Sequence, residues 1–182
     1  MKTGKVLKSF VARDGRGVVL RTPKWEDLDD FLELINSLVD EKAEITRTEK
    51  VSREEEIDFL SKVLNHLEKD ETFYLIAEVD GKVVAVSEIG RRSGYEKHVG
   101  VIGIAIKNGF RDLGIGTEMK KTLVEQAQEM GLKVLTLTAF ASNKRAIPVY
   151  DKVDFVQTGR VPKRHFKEGN YIDEIIMTKL LE

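Results

Sequence analysis

One stretch limits the folds open to this chain more than any other: Ile104-Ala105-Ile106-Lys107-Asn108-Gly109-Phe110-Arg111-Asp112-Leu113-Gly114-Ile115-Gly116-Thr117. An apolar strand-like run passes through a glycine loop and opens directly into a helix, read from Ile115 to Met130 and stopped by Gly131. A second apolar run, Lys133 to Ala139, follows at once. Strand, loop, helix and strand in that order make a βαβ-like crossover, so part of the sheet must be parallel.

The remaining segments surround that crossover with hairpins. Phe73 to Val79 and Lys82 to Ile89 flank Asp80-Gly81, a dipeptide suited to a type I′ turn because both central residues need positive φ. Lys5 to Ala12 and Gly17 to Thr22 form a second hairpin around Arg13-Asp14-Gly15-Arg16, and His98 to Ile106 supplies the strand that enters the crossover. Two helices lie between. The first is expected to start with Thr22 as its cap and Pro23 in its first turn, turning Leu28, Phe31, Leu32, Ile35, Leu38 and Val39 to the core. Ser52 and Glu55 form a capping box for the second, in which Ile57, Leu60, Leu64 and Leu67 recur at helical spacing. The polar connector Asp40 to Lys50 is placed to shape a substrate entrance.

Composition narrows the functions. In 182 residues there is no repeat or linker, so a single domain over residues 1–182 is expected, with residues 1–20 as an N-terminal β extension. Thirty basic residues against 31 acidic ones leave a net charge of −1, without the broad basic field that nonspecific nucleic-acid binding needs. No apolar run approaches the ~20 residues of a membrane span, and a cytoplasmic protein is expected. The absence of cysteine excludes a thiol nucleophile, and His66, His98 and His165 have no helix-ligand spacing, so no metal site is expected.

A helix that opens from a glycine loop offers unpaired N–H groups and a partial positive charge, for which phosphate is the natural guest. The Walker pattern fails because Gly116 is followed by Thr117-Glu118 rather than a lysine. The dinucleotide fingerprint fails at Met119, and the strand Lys133 to Ala139 lacks an acidic residue for a ribose hydroxyl. What is left is Arg111-x-x-Gly114-x-Gly116, which resembles the coenzyme A loop of the GNAT superfamily of N-acetyltransferases. One strand further on, Asn143-x-x-Ala146-x-x-x-Tyr150-x-Lys152-x-x-Phe155 resembles the family's Asn…Ala…Tyr…Gly-Phe segment. The ending Gly169-x-Tyr171-x-Asp173 through Met177 is similar to the last strands of the branch of ribosomal-protein and small-amine acetyltransferases.

This resemblance implies an α/β fold of the α+β type. Its mixed, mostly antiparallel central sheet has about seven strands, is flanked by helices, and is splayed between the fourth and fifth core strands. It also implies acetyl-CoA as co-substrate, held by Ile104, Ala105 and Ile106 through the main chain, by Arg111, Asp112, Leu113, Gly114, Ile115, Gly116 and Thr117 around the pyrophosphate, and by Asn143 and Ala146. Gly100 and Gly103 suit a bulge or close approach in the cofactor strand. Two departures stand out: Asp154 occupies the usual glycine position before Phe155, and Pro148 is expected to kink the short helix that carries Tyr150.

The chemistry implied is transfer of the acetyl group to a primary amine by direct attack in a ternary complex. Tyr150 is the expected proton donor to the coenzyme thiolate, and Glu88 the expected base, with His98 and Glu96 as substitutes. Protein N-termini, lysine side chains and small amines all fit as acceptors. The alternative is a non-catalytic acyl-CoA-binding sensor or scaffold. A homodimer is the default assembly. Glu54-Glu55-Glu56 reads as a solvated first helical turn, Trp25 as a packing residue and Lys163-Arg164-His165 as a basic loop.

Overall fold

The computed structural model describes residues 2–181, so Met1 and Glu182, the ends of the expected domain, lie outside the described residues. The elements run β1 (Val6–Val11), β2 (Gly17–Arg21), α1 (Leu28–Asp40), α2 (Arg53–Glu68), β3 (Thr72–Val79) and β4 (Lys82–Arg91). They continue with β5 (Val99–Ile106), α3 (Ile115–Glu129), β6 (Val134–Phe140), α4 (Ile147–Asp151), β7 (Val156–Lys167) and β8 (Asn170–Leu180). All eight strands join one sheet in the order β1-β2-β3-β4-β5-β6-β8-β7, with every pairing antiparallel except β5 with β6. The seven core strands are therefore β2 to β8, and β1 extends the sheet at one edge.

Local chemistry sets the turns. Asp80 and Gly81 take φ of 51° and 75° and close the β3–β4 hairpin, as their sequence requires. Asp154, in the family's glycine position, is left-handed at φ 62°. The capping box of α2 is complete: the Glu55 N–H donates to Ser52 Oγ at 3.2 Å, and the Ser52 N–H donates to Glu55 Oε2 at 2.7 Å.

Four local expectations are corrected. Thr22 does not cap α1, because its hydroxyl already accepts the Lys5 N–H at 2.8 Å and donates to the Lys2 carbonyl at 2.8 Å. A short 3₁₀ turn, Trp25–Asp27, intervenes before Leu28, and Trp25 is half-exposed rather than packed. Pro148 does not kink α4: it sits in the first turn, where its missing N–H has no helical partner to lose. Glu56, read as solvated, is buried, and burial pushes its carboxyl above the usual range.

The sheet is the middle of three layers. One face packs Leu20, Leu75, Ala85, Ile89 and Ile102 against Ile115, Met119, Leu123 and Ala127 of α3. The opposite face receives Phe31, Leu34 and Leu38 of α1 and Leu60 and Val63 of α2. A buried ion pair fastens the near edge, where the Arg21 guanidinium donates to both oxygens of Asp27 at 2.8 and 2.7 Å and to Glu78 at 2.8 Å.

The feature that positions the site is the β5–β6 pairing. Only Val99, Gly100 and Val101 of β5 pair with Val134, Leu135 and Thr136 of β6, after which the two parallel strands separate. This is the splay expected between the fourth and fifth core strands. Contrary to the bulge considered for Gly100 and Gly103, β5 pairs with β4 without interruption from Gly100 to Ile106. Gly100 is instead a close-packing position, since a Cβ there would lie 2.8 to 2.9 Å from Leu132, Ile89 and Leu135.

Candidate active site

A cleft of about 840 Å³ opens where β5 and β6 part. Its floor is the free edge of β5, with Ile104, Ala105 and Ile106; one wall is the glycine loop and α3, and the other is formed by Ala139, Asn143, Ala146 and Tyr150. Of the residues expected to hold the cofactor, all line the cleft except Leu113 and Ile115. Those two turn their side chains to the core and leave only their backbone for a ligand.

The glycine loop is an open cradle. Among the described residues, no backbone N–H from Arg111 to Gly116 donates to a protein acceptor. Asp112 and Gly114 take φ of 62° and 89°, alternating handedness in the manner that makes successive N–H groups converge on an anion. Gly116 serves contact with the strand: a Cβ there would come within 3.0 Å of Ile106 Cδ1, so glycine lets α3 start directly against β5. The N-terminal hairpin braces the cradle from outside. The Arg13 N–H donates to the Leu113 carbonyl at 3.1 Å, Arg16 donates to the Gly109 carbonyl at 3.1 Å, and the Arg16 guanidinium covers the Phe110 ring at 4.3 Å.

Arg111 has partners of its own. Its Nε donates to the Ile106 carbonyl at 2.9 Å, and its terminal nitrogens pair with Glu41 just beyond α1. Asn143 accepts the Ala146 N–H on Oδ1 at 3.0 Å, which fixes the turn leading into α4. Tyr150 is buried, meets Phe155 edge-on at 6.0 Å, and burial pushes its phenol up to about 12.

Glu88 stands apart from the lining of the cleft. It lies opposite Tyr74 on β3 and Gly103 on β5; burial, then the Glu88 charge and the hydrogen bond that Glu88 accepts from the Tyr74 hydroxyl, push that phenol well above its ordinary value. A Cβ on Gly103 would be 3.8 Å from Glu88 Oε1, so the bare backbone of Gly103 separates this carboxylate from the cleft. His98 and Glu96, the substitutes for Glu88, are exposed and away from it.

Three groups outside the expected site also face the cleft. His165, read as part of a basic loop, stacks on Phe140 at 3.9 Å and 15°, and its Nε2 lies 3.4 Å from Glu174 Oε1. Both side chains are about 15% exposed, and Nε2 is buried without a hydrogen bond. Lys120 is the third: it is only 3% exposed, and its Nζ lies 3.9 Å from the centroid of the Tyr150 ring. Its spacing from Gly116 and Leu123 put it beside the buried stripe of α3, a signal available in the sequence.

The connector after α1 roofs part of the cleft. Lys42 pairs with Glu168 at 2.6 Å, Lys167 donates to the Lys42 carbonyl at 2.6 Å, and Ser142 donates to Glu44. With Arg111 and Glu41, these ties stretch residues 41–46 as an arch from the glycine loop to the β7–β8 hairpin. Among the described residues no His, Cys, Asp and Glu side chains cluster as a metal site, and no helix is long and apolar enough to cross a membrane.

Comparison with known proteins agrees with this geometry. A sequence model of the acetyltransferase (GNAT) family matches residues 32–155. The L-amino acid N-acetyltransferase of Escherichia coli is 29% identical over 112 residues, covering 58% of this chain and 67% of that protein. The ribosomal-protein-S5-alanine acetyltransferase of Vibrio fischeri superposes with a TM-score of 0.82 at 15% identity, over 97% of this chain and 98% of its own. The microcin C7 self immunity acetyltransferase, solved in complex with acetyl-CoA and AMP, superposes with a TM-score of 0.75 at 17% identity, over 90% and 92% of the two chains.

Proposed function

The chain belongs to the acetyltransferase (GNAT) family, and from that premise we propose that it acetylates a primary amine by direct attack on acetyl-CoA in a ternary complex. It is an acetyl-CoA-dependent acyltransferase, and the acceptor is the finer question. The observation that carries the proposal is the unpartnered N–H cradle from Arg111 to Gly116 beside the free edge of β5. The cradle takes the diphosphate, and the open strand edge pairs with the amide-bearing arm of the coenzyme as an added strand would.

That placement delivers the thioester to Ile104 and Ala105 on the floor, beside the wall that carries Tyr150. The Tyr150 hydroxyl meets the departing sulfur. The acceptor enters from the other side, beneath the arch of residues 41–46 and along Phe140, His165 and Glu174. Glu174 offers an ammonium group its countercharge, and the proton is taken there by His165 or, across Gly103, by Glu88. An arch tied at both ends favours a slender acceptor, either a small amine or the free N-terminus of a protein, over a lysine on a folded surface.

Thiol release from acetyl-CoA across a panel of amino acids, polyamines and N-terminal peptides tests the proposal, alongside thermal unfolding with and without the cofactor. The expected result is cofactor stabilisation together with turnover on a subset of the amines. Stabilisation with no turnover on any amine would instead identify a sensor.

A further inference from the structure

Lys120 is a charged residue where α3 otherwise buries only uncharged ones: Ile115, Met119, Thr122, Leu123, Gln126 and Ala127. A buried ammonium is costly unless something compensates it. Among the described residues its Nζ has no carboxylate partner, and its one described contact is the face of the Tyr150 ring at 3.9 Å. The residue lines the cleft from α3, where its ammonium meets Tyr150 of the other wall. The cleft is therefore the side from which an anion can reach Nζ.

Of the anionic parts of the coenzyme, the diphosphate is met by the N–H groups at the start of α3, more than a turn before Lys120, and the ribose phosphate lies beyond the diphosphate, farther still from the thioester end. The anion formed beside Tyr150 is the sulfur. We propose that Lys120 is a catalytic residue that stabilises the departing coenzyme thiolate and gives it a proton, an inference that rests on the proposed acetyl transfer. In that step the amine nitrogen forms the new C–N bond and the C–S bond breaks, with its electron pair going to sulfur. A proton then passes from Lys120 Nζ to the thiolate, and the proton released by the acylated nitrogen leaves through the acceptor side. Lys120 regains its proton from solvent before the next turnover.

The acidities of the groups fit this division of labour. Burial alone lowers the Lys120 ammonium to about 8, close to the ~8.5 of an ordinary thiol, whereas the Tyr150 phenol is pushed up to about 12. Tyr150 is thus suited to hold the sulfur by a hydrogen bond, and Lys120 to transfer the proton.

The test compares CoA with desulfo-CoA, which keeps the diphosphate and lacks the sulfur, by calorimetry on the wild type and Lys120→Met at mildly alkaline pH. The wild type is expected to prefer CoA by about tenfold, and the ultraviolet absorbance of the bound ligand should show its sulfur as the thiol, the product of the proposed transfer; bound thiolate would overturn the transfer. Lys120→Met should bind both ligands equally, and its kcat should fall about 100-fold with KM for acetyl-CoA within threefold. An unchanged kcat, or a preference for CoA that survives the substitution, overturns the assignment. Equal weakening of both ligands assigns Lys120 to the diphosphate and also overturns it. Failure of the wild type to bind CoA at all would instead refute the underlying reading of the site. The ultraviolet measurement on the wild type needs no variant to fold.

Discussion

Lys120 links function to stability at a single side chain. Its ammonium titrates at about 8 in the folded protein against an ordinary 10.5, with burial the cause. Between those values the folded state holds fewer protons than the unfolded chain, so this group makes the protein more stable as pH rises through that window, by roughly 3 kcal/mol in total. Below about 8 the full penalty of burying the charge is present. Lys120→Met removes the penalty, so the variant should be more stable than the wild type near neutrality, and the difference should shrink toward pH 10. Urea unfolding of both proteins at several pH values checks this. A variant that gains stability while losing turnover marks a residue retained for chemistry.

The elements show which parts of the molecule local chemistry can announce. The turn at Asp80-Gly81, the capping box at Ser52 and the helix stop at Gly131 each depend on neighbours within a few residues, and each was legible in the sequence. The loop from Arg111 to Thr117 was legible for the same reason, as backbone geometry is written in its glycines. Thr22 misled because a residue with a capping side chain was engaged by the distant Lys5 and Lys2. The pairing of Arg111 with Glu41 joins loops 70 residues apart, and that of His165 with Glu174 depends on the register of the β7–β8 hairpin, neither of which a local pattern encodes. Irregular register between Val161 and His165 further hides which β7 side chains face the cleft. Gly114 gives an element-level prediction. At φ 89° an alanine is strained, so Gly114→Ala should destabilise the fold by about 1 kcal/mol and raise KM for acetyl-CoA more than it lowers kcat. Thermal unfolding and steady-state kinetics measure the two effects.

At the scale of the molecule, the sheet is held together along most of its width and opened at one seam, and segments distant in sequence converge on that seam. The arch of residues 41–46 is tied to the β7–β8 hairpin by exposed groups, Lys42 and Glu168 being 68% and 58% exposed, and to the end of β6 through Glu44 and Ser142. Exposed ties of this kind contribute at most about 1 kcal/mol each. The double variant Glu44→Ala, Glu168→Ala should therefore leave overall stability nearly unchanged. KM for the amine should rise by up to about tenfold, with KM for acetyl-CoA unaffected, in kinetics with each substrate varied in turn. The opposite rim of the seam is held by the tip of the first hairpin, through Arg13 and Arg16 on the outer side of the glycine loop. Shortening the chain from its amino end, or fusing a bulky tag there, would thus loosen the grip on the coenzyme even though the first strand is the outermost of the sheet.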